Sequence, residues 1–497
     1  MISMHKIIKL VHKFDVFLQS KKGLGLIVVL VILSSLGRYV SSDSDPYQPK
    51  QTRLDASGFS HNRAYKFAYF YYYTGDFPLA TIHNDLTYSK EGAINEINNR
   101  GKDLIMEYTH WSRLGESARI LAYLPNAYLK GSPENPSIRL FNVLIFTISL
   151  LVLYFGFWNI KKPLFGFVLL VLISCTPFFL YEIYSRENIF ALMASAFFII
   201  LGLNVQVLFL PTLNYFKTIF IAAFSGGILG FFSEFRNEIS IVIVSLLLLY
   251  ILSKTIKIVP KIVLILTIIF FFNSSKKYIR NHFAMKFEKT SHLVSSHKGH
   301  VYSGAKISGH NFWHPMFCGL GDFDTKYGYE WNDLKAYQYA IPILNKKYGM
   351  NIKYSGRYHT DDYYDEAGLY YKKPEELPNY EVIMKEKVLS DIKNDPVWYM
   401  EILCKRVIRT MTRTIPVPYL GWLLFPLAYF LIRRKYWDWI KLIVVSLPLS
   451  ATSIIVHSGK GSTYNSLFVY FVLTIIVIQA YQYFKVKNNK SNKEVIT

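Results

Sequence analysis

The sequence predicts a polytopic α-helical membrane protein with about ten transmembrane helices, an extracytoplasmic loop region and a soluble insert that is α/β or mainly helical. Three observations carry this prediction. The chain of 497 residues is 52% hydrophobic, its apolar runs have the length of a bilayer, and the charge between them alternates in sign. A soluble enzyme of ordinary composition is less apolar, so that class is excluded.

Every second connection between apolar runs carries lysine and arginine. These basic positions are Lys6, Lys9, Lys13, Lys21 and Lys22; Lys161 and Lys162; Lys217; Lys254, Lys257 and Lys261; Arg433, Arg434 and Lys435; and Lys485, Lys487 and Lys490. The intervening connections carry carboxylates beside arginines instead. By the positive-inside rule, the basic connections and both chain ends lie in the cytoplasm, and the acid-bearing connections lie on the opposite face.

The formal net charge of +22 comes mostly from these juxtamembrane clusters. There the charge fixes orientation and meets anionic headgroups, so the lipid bilayer is an expected partner. No basic stripe with interleaved aromatic residues stands in a soluble module, so nucleic acid is not an expected partner. The cysteines Cys175, Cys318 and Cys404 give neither a disulfide framework nor metal-ligand spacing.

Composition divides the chain into five regions. They are a cytoplasmic leader at 1–22, a transmembrane module at 23–272 with a first outer loop at 41–136, an extracytoplasmic insert at 273–414, C-terminal transmembrane helices at 415–484, and a cytoplasmic tail at 485–497. Within the insert, apolar spacing predicts a helix over 380–399 that ends near Asp395-Pro396. The stretch 308–333 is rich in glycine, histidine and aromatic residues, which predicts a loop.

Carboxylates follow the first apolar run closely. Asp43 and Asp45 form a D-x-D pair, and Asp55 follows in the same loop. A carboxylate at the membrane surface can act as general base on an acceptor hydroxyl, or can bind a divalent cation such as Mg or Mn. The alternative is that these are ordinary solvated loop acids.

Two later outer loops repeat one pattern of charge. The second loop contains Glu182, Arg186 and Glu187, and the third contains Glu234, Arg236 and Glu238. An arginine offers a bidentate fork to phosphate, and a neighbouring acid can orient that fork or bind a metal. Charges this close to hydrocarbon are costly unless paired or used, so the repeated pattern favours an outward site for an anionic, membrane-borne substrate.

These segments resemble a known family. The early acid of the first outer loop, then "SIRLFNVLIFTISLLVLYF", "PFFLYEIYSRENIFALMASAFFIILGL" and "GGILGFFSEFRNEISIV", are similar to GT-C-type membrane glycosyltransferases. The nearest types are the protein O-mannosyltransferases and the bacterial lipid A aminoarabinose transferase. The segment "RAYKFAYFYYYTGDFPL" resembles the family helix that follows the first-loop acid and often ends in Gly-Asp. The resemblance covers about the first half of the chain.

The resemblance implies a specific activity. Such enzymes sit in the bacterial cytoplasmic (inner) membrane and move a sugar from a polyprenyl-phosphate donor to a cell-envelope lipid, glycan or protein on the outer face. Carried onto this sequence, the base is Asp55, Asp43 or Asp45, and the second-loop acid is Glu182 or Glu187. Arg186 and Arg236 would hold the donor phosphate. Where the family commonly has Asp-Glu before the aromatic helix, this chain has Ser60-His61, so His61 is a further candidate base.

Two other groups of residues are weaker candidates. None of the histidine spacings in the insert matches a helical zinc pair with a third ligand, so solvated or core histidines are expected there. His310 and His314 flank Trp313 and are candidates for lining a sugar or acceptor cleft. Lys460 lies in the last outer loop and is a third candidate for contact with the donor phosphate.

Two alternative functions remain open from the sequence. An O-antigen or polysaccharide polymerase or ligase is also multispan, with a large outer loop and paired arginines. A transporter or flippase for lipid-linked glycans would need broken helices near mid-membrane and internal pseudo-symmetry, and the sequence shows neither clearly. The acid-bearing loop directly after the first span favours the transferase.

Overall fold

The structure is a computed structural model that describes residues 4–43, 68–77, 79–81, 87–106, 118–131, 137–177, 181–185, 189, 191–301, 312–354, 363–364, 370–371, 374–415, 417–456 and 466–494. Helices dominate these residues. The first half contains α1 Met4–Gln19, α2 Lys21–Asp43, α3 Lys90–Asn99, α4 Leu124–Lys130, α5 Arg139–Asn159, α6 Pro163–Ser174, α7 Ala191–Asn204, α8 Gln206–Phe209, α9 Tyr215–Ser233, α10 Val242–Ile251 and α11 Ile258–Ser296. The second half contains α12 Trp313–Leu320, α13 Asp333–Tyr348, α14 Tyr380–Asn394, α15 Pro396–Thr412, α16 Leu424–Arg433, α17 Trp437–Ser446, α18 Pro448–Ile455 and α19 Phe468–Glu494.

Short strands and single turns complete the description. The strands are β1 Ala80–Thr81, β2 Leu104–Met106, β3 His300–Val301, β4 Tyr363–Tyr364 and β5 Tyr370–Tyr371. β2 pairs antiparallel with β1 and parallel with β3, and β4 pairs antiparallel with β5. Turns of 3₁₀-helix lie at Gly101–Asp103, Arg119–Ala122, Asn237–Ile241, Lys326–Gly328, Pro374–Glu376 and Leu420–Leu423, and a π-helical turn lies at Tyr181–Ser185. Because β2 bridges β1 and β3, the first long loop is joined to the far end of α11.

Several helices have the length and composition of membrane spans. Among the described residues, α2, α5, α9, α11 and α19 are long and apolar enough to cross a membrane. α17 and α18 pass the same test as one span bent by 43°. The prediction of an α-helical, multi-pass membrane protein is confirmed at this level, with five or six candidate spans.

The transmembrane bundle has two chemically distinct ends. At one end, Arg38 Nη1 of α2 donates to the Ser174 carbonyl of α6 at 2.7 Å, and the Arg139 guanidinium of α5 lies 4.3 Å from the Tyr39 ring centroid. At the other end, the Trp158 indole N–H of α5 donates to the carbonyl of Leu18 at 3.1 Å. We call the first the acid end, because Glu182 and Glu234 lie there, and the second the basic end.

α7 forms the centre of this bundle. It is buried along nearly its whole length, as expected of a helix that is apolar on every face. Its last residue, Asn204, donates to Ser225 Oγ of α9 at 2.8 Å and accepts from the Tyr250 hydroxyl of α10 at 2.7 Å. This buried polar network ties three helices together, because each group satisfies another away from water.

Small residues let α9 approach α11 closely. Gly226 and Gly230 are four residues apart and therefore share one face of α9. A Cβ at Gly226 would lie 2.6 Å from the Ile268 carbonyl oxygen, and one at Gly230 would clash with the Phe272 carbonyl oxygen. Glycines at this spacing allow backbone contact between transmembrane helices, so they act here as packing residues.

We expect Gly230→Leu to push α9 away from α11. The added side chain should lower the free energy of unfolding by about 1–3 kcal/mol, the usual cost of overpacking. Thermal unfolding in detergent measures the effect. Gly227→Leu is the matched control, because no heavy atom lies within 4 Å of a Cβ at Gly227. Equal losses of stability in the two variants would contradict the packing role of this face.

Several helices cross or lie within the predicted regions. The border at 272/273 falls inside α11, which continues without a break to Ser296. The predicted tail at 485–497 is helical as far as Glu494, because α19 continues through it. The leader contains α1, which packs against α2, α6 and α19. The prediction of a loop at 308–333 is wrong in part, because α12 lies within it.

α12 to α15 build a second hydrophobic core, separate from that of the bundle. The predicted helix over 380–399 is α14 followed by the start of α15, with the break at Asp395. A buried arginine joins this module to the bundle. Arg406 of α15 donates from Nε to Asp322 at 3.2 Å and from Nη1 to the carbonyls of Ile454 and Ile455 at 3.1 and 2.9 Å.

Candidate functional site

The structure places some of the predicted site residues and not others. Asp43 is the last residue of α2, and nothing is described of its side chain. Outside the described residues lie Asp45, Asp55, His61, Arg186, Glu187, His310 and Lys460. The acids and arginines that can be placed, Glu182, Glu234, Arg236 and Glu238, all lie at the acid end.

Glu182 is buried in the π-helical turn Tyr181–Ser185, with only 1% of its surface exposed. This turn packs against α2 and α5. Two residues further on, the Tyr184 hydroxyl hydrogen-bonds to Ser35 of α2. A π-helical turn is often found at functional sites, and here it carries a carboxylate into the interior of the acid end.

Glu234 directly follows α9, where that helix contacts α11. Its carboxylate is fully buried, 3.0 Å from Arg280 Nε and 3.9 Å from Lys276 Nζ. Its carbonyl accepts from the Ala118 amide at 2.9 Å, so the first long loop docks at this point. A buried carboxylate requires such partners, which makes Glu234 a structural ion-pair residue.

Arg236 and Glu238 pair with each other. The Arg236 Nε lies 2.7 Å from Glu238 Oε2, and its Nη2 donates to Oε1 at 2.8 Å. The two side chains are 23% and 42% exposed. The Arg236 guanidinium, which the sequence predicts to bind the donor phosphate, is thus paired with the Glu238 carboxylate. A substrate phosphate would have to displace that carboxylate.

Arg38, also at the acid end, is a candidate that the sequence analysis does not single out. It is half-buried in the last turns of α2, and its guanidinium donates from Nη1 to the Ser174 carbonyl. A guanidinium carries five N–H donors, so further acceptors can bind there. The signal was present in the sequence, because a charge inside an apolar run marks a functional candidate.

An apolar cavity leads directly to Arg38. It has a volume of about 190 Å³ and lies between α2, α5 and α6. Its walls are Ile27, Leu30, Val31, Ser34, Ser35, Phe146, Leu150, Phe167, Leu170, Val171, Ser174 and Cys175, and Arg38 and Tyr184 complete the lining. Hydrocarbon walls with a guanidinium suit a ligand with an apolar tail and an anionic head.

A second cavity extends this surface toward the basic end. It has a volume of about 350 Å³, lies between α1, α6 and α19, and is lined by apolar side chains and Tyr481. Phe167 of α6 lines both cavities. We call the two together the apolar track, since both border α6 and meet at Phe167.

The Gly-Asp that follows the aromatic helical segment 68–74 is fixed to α11. Lys286 Nζ donates to the Gly75 carbonyl at 2.8 Å and to Asp76 Oδ1 at 2.9 Å, and Lys289 Nζ donates to Asp76 Oδ2 at 2.8 Å. The hydrogen bond from Lys289, and next that from Lys286, holds the pKa of Asp76 below its ordinary value. Asp76 therefore links the first loop to the part of α11 beyond the bundle.

This ion pair predicts a pH-dependent contribution to stability. A lowered pKa gives stability that is present above the ordinary value of about 3.9 and is lost as the pH falls through the lowered value. We expect Asp76→Asn to cost about 1 kcal/mol or less near neutral pH, because the group is partly exposed, and nothing in strong acid. Denaturant titrations of both proteins across this pH range measure it. Glu91→Gln, at an exposed carboxylate, is the control, and a difference that persists in acid would contradict the assignment.

Two of the residues predicted to line a sugar cleft, Trp313 and His314, lie in the module. Trp313 is half-buried, with Lys385 Nζ 6.0 Å from its ring centroid. His314 is buried and faces Tyr380 and Asp333, so its side chain belongs to the module core rather than to an open cleft.

Glu182, Glu234 and Arg38, from two predicted loops and the first span, thus lie at the acid end, and of these three Arg38 lines the apolar track. Comparison with known proteins adds no assignment: no family model, no curated protein and no solved structure matches this chain. The likeness to GT-C enzymes and the activity it implies therefore stay predictions.

Proposed function

We propose that this protein is an integral membrane glycosyltransferase of GT-C type. It moves a sugar from a polyprenyl-phosphate-linked donor to a cell-envelope lipid, glycan or protein. The observation that supports this most is the apolar track that leads to Arg38 at the acid end. A soluble nucleotide-sugar donor has no use for such a track, whereas a polyprenyl chain does.

The membrane arrangement proposed has ten spans in a bacterial cytoplasmic membrane. Within the described residues, the five long helices, the bent pair and four shorter apolar helices together number ten. The shorter ones are Pro163–Ser174, Ala191–Asn204, Asn237–Ile251 and Leu420–Arg433. The Lys/Arg clusters at the basic end favour placing that end in the cytoplasm and the acid end on the extracytoplasmic face.

Donor binding follows from the shape and charge of the track. The isoprenoid tail lies against α1, α2, α5, α6 and α19, where van der Waals packing holds it, because a tail that comes from the bilayer leaves hydrocarbon and not water. The phosphate lies at Arg38, whose free N–H donors make charge-assisted hydrogen bonds to it. A bound Mg or Mn ion would stabilise the charge on the same phosphate.

Transfer requires a base near the acceptor. The base takes the proton of an acceptor hydroxyl, the acceptor oxygen bonds to the anomeric carbon, and the bond from that carbon to the phosphate oxygen breaks. Polyprenyl phosphate leaves with the bond electrons, and Arg38 stabilises its charge. Glu182 lies in the same π-helical turn as Tyr184, which lines the track, and joins Asp43, Asp45, Asp55 and His61 as a candidate base.

The test compares cells that lack the gene with cells that carry it, by mass spectrometry of envelope glycans and lipids. We expect one glycosylated product to disappear and a polyprenyl-phosphate sugar to accumulate. Glu182→Gln should reproduce the loss, whereas the control Glu401→Gln, at an exposed carboxylate of α15, should not. An unchanged glycan profile would refute the proposal, and loss of a ladder of polymer lengths would indicate a polymerase instead.

A further inference from the structure

Three potential metal ligands converge inside the module formed by α12 to α15. His314 and Cys318 lie four residues apart on α12, which places them on one face of that helix. Asp333 is the first residue of α13. Among the described residues, these three offer ligand atoms that all lie within 4.8 Å of one another.

The spacing of these atoms matches a tetrahedral zinc site. The distance from His314 Nε2 to Asp333 Oδ1 is 3.1 Å, from Cys318 Sγ to His314 Nε2 3.8 Å, and from Cys318 Sγ to Asp333 Oδ1 3.7 Å. Bonds of about 2.0–2.3 Å from a tetrahedral Zn²⁺ to N, O and S ligands place the ligand atoms about 3.3–3.6 Å apart. The observed edges differ from these by a few tenths of an ångström.

Neighbouring groups hold the ligands in place. The carboxylate of Glu381 accepts from the backbone N–H groups of Trp313 and His314, each at 3.0 Å, and so fixes the first turn of α12. The side chain of Asn332 accepts from the Leu334 amide at 3.0 Å, which starts α13 where Asp333 faces α12.

The imidazole has the outer partner that metal-binding histidines require. His314 Nδ1 lies 2.6 Å from the Tyr380 hydroxyl, and the ring stacks on Tyr337 at a centroid distance of 5.6 Å. With Nδ1–H donated to Tyr380, Nε2 carries the lone pair and faces Cys318 and Asp333. Such a partner fixes the tautomer and the orientation of a ligating ring.

We propose that His314, Cys318 and Asp333 form a zinc-binding site, in which the described residues fill three of the four coordination positions. Thiolate and imidazole together favour Zn²⁺ over Mg²⁺ or Ca²⁺, which take oxygen ligands. The side chain of His314 is 1% exposed and that of Asp333 is 47% exposed, so the site opens toward solvent on the Asp333 side. Three protein ligands and one open position are the arrangement of zinc sites that bind water or substrate.

The test uses the full chain in detergent, stripped of metal by a chelator under reducing conditions and then titrated with Co²⁺. We expect about one Co²⁺ per chain, with a thiolate-to-cobalt charge-transfer band that Zn²⁺ abolishes. Cys318→Ser should remove the band, whereas the control Cys404→Ser, at an exposed cysteine of α15, should keep it. Absence of the band in the parent chain, or its survival in Cys318→Ser, would overturn the proposal.

Two further variants separate metal binding from packing. Asp333→Asn keeps the shape of a half-exposed residue, and we expect it to lower the affinity for Co²⁺ while circular dichroism stays unchanged. Tyr380→Phe should lower that affinity about ten- to hundredfold, the effect of losing the outer partner of a ligating histidine. Unchanged affinity in both variants would contradict ligation by Asp333 and the role of Tyr380 in orienting His314, and so would overturn the proposed ligand set. Because the readout is metal binding, the result is independent of the proposed transferase activity.

Discussion

Replacing Asp322 with alanine is expected to lower the free energy of unfolding by about 3–5 kcal/mol, the cost of leaving a buried charge without its partner. The Arg406 side chain is 0% exposed and that of Asp322 is 5% exposed, and their closest atoms are 3.2 Å apart. The variant would leave the guanidinium with the carbonyls of Ile454 and Ile455 but no counter-charge. Denaturant unfolding in detergent micelles, followed by tryptophan fluorescence, measures the loss.

Two controls distinguish the loss of the buried Asp322–Arg406 pair from the loss of a surface charge and from a change in packing. Asp438→Ala removes an acid that is 48% exposed and 3.2 Å from Lys441, and we expect it to cost about 1 kcal/mol or less. The double variant Asp322→Leu with Arg406→Met should recover much of the loss, because a well-packed apolar pair can replace a buried ion pair. A loss in Asp322→Ala no larger than that in Asp438→Ala would contradict the buried pair.

Arg38→Ala is expected to reduce sugar transfer about ten- to hundredfold while the protein remains in the membrane. The charged hydrogen bonds from a guanidinium to phosphate are worth about 1.5–3 kcal/mol, and each 1.4 kcal/mol is a factor of about ten. Arg38→Lys should recover only part of the rate, since an ammonium cannot make the bidentate contact. Product formation in isolated membranes, quantified by mass spectrometry, measures the change.

The matched control for this variant is Arg433→Ala. Arg433 is an exposed arginine at the end of α16, at the basic end of the bundle, and donates to the Tyr429 hydroxyl at 3.0 Å. We expect Arg433→Ala to leave transfer unchanged, because the donor phosphate is proposed to lie at the opposite end. Full activity in Arg38→Ala would show that Arg38 does not bind the donor phosphate.

The sequence predicts the bundle well where hydrophobicity decides the structure. α2 and α5 follow from their apolar runs, and the break between α14 and α15 follows from Asp395-Pro396, because proline is accepted at the start of a helix and not in its interior. The continuation of α11 past residue 272 was missed, since it is polar and is held by contacts distant in sequence, such as those of Asp76. Hydropathy does not report such contacts.

The candidate site residues follow the same rule. Those marked by their hydrophobic surroundings can be predicted from the sequence, and those brought together by packing cannot. Glu182 and Glu234 were selected because charges beside hydrocarbon are costly, and both are buried at the acid end. That reasoning applied equally to Arg38 but was not extended to a charge inside the first span. The cluster of His314, Cys318 and Asp333 was missed because Asp333 lies 15 residues from Cys318 and reaches it only through the packing of α13 on α12.

The most direct test of the account is photo-crosslinking of the purified protein with a polyprenyl phosphate that carries a diazirine in its isoprenoid chain. With a donor site in the apolar track, we expect peptides of α2 and α6 to be labelled, and excess unlabelled polyprenyl phosphate to suppress this labelling. The lipid-exposed aromatic residues of α9, Phe216, Phe220 and Phe224, report non-specific contact, which the competitor should not suppress. Labelling of α2 and α6 that equals that of α9 and resists competition would contradict a donor site in the apolar track.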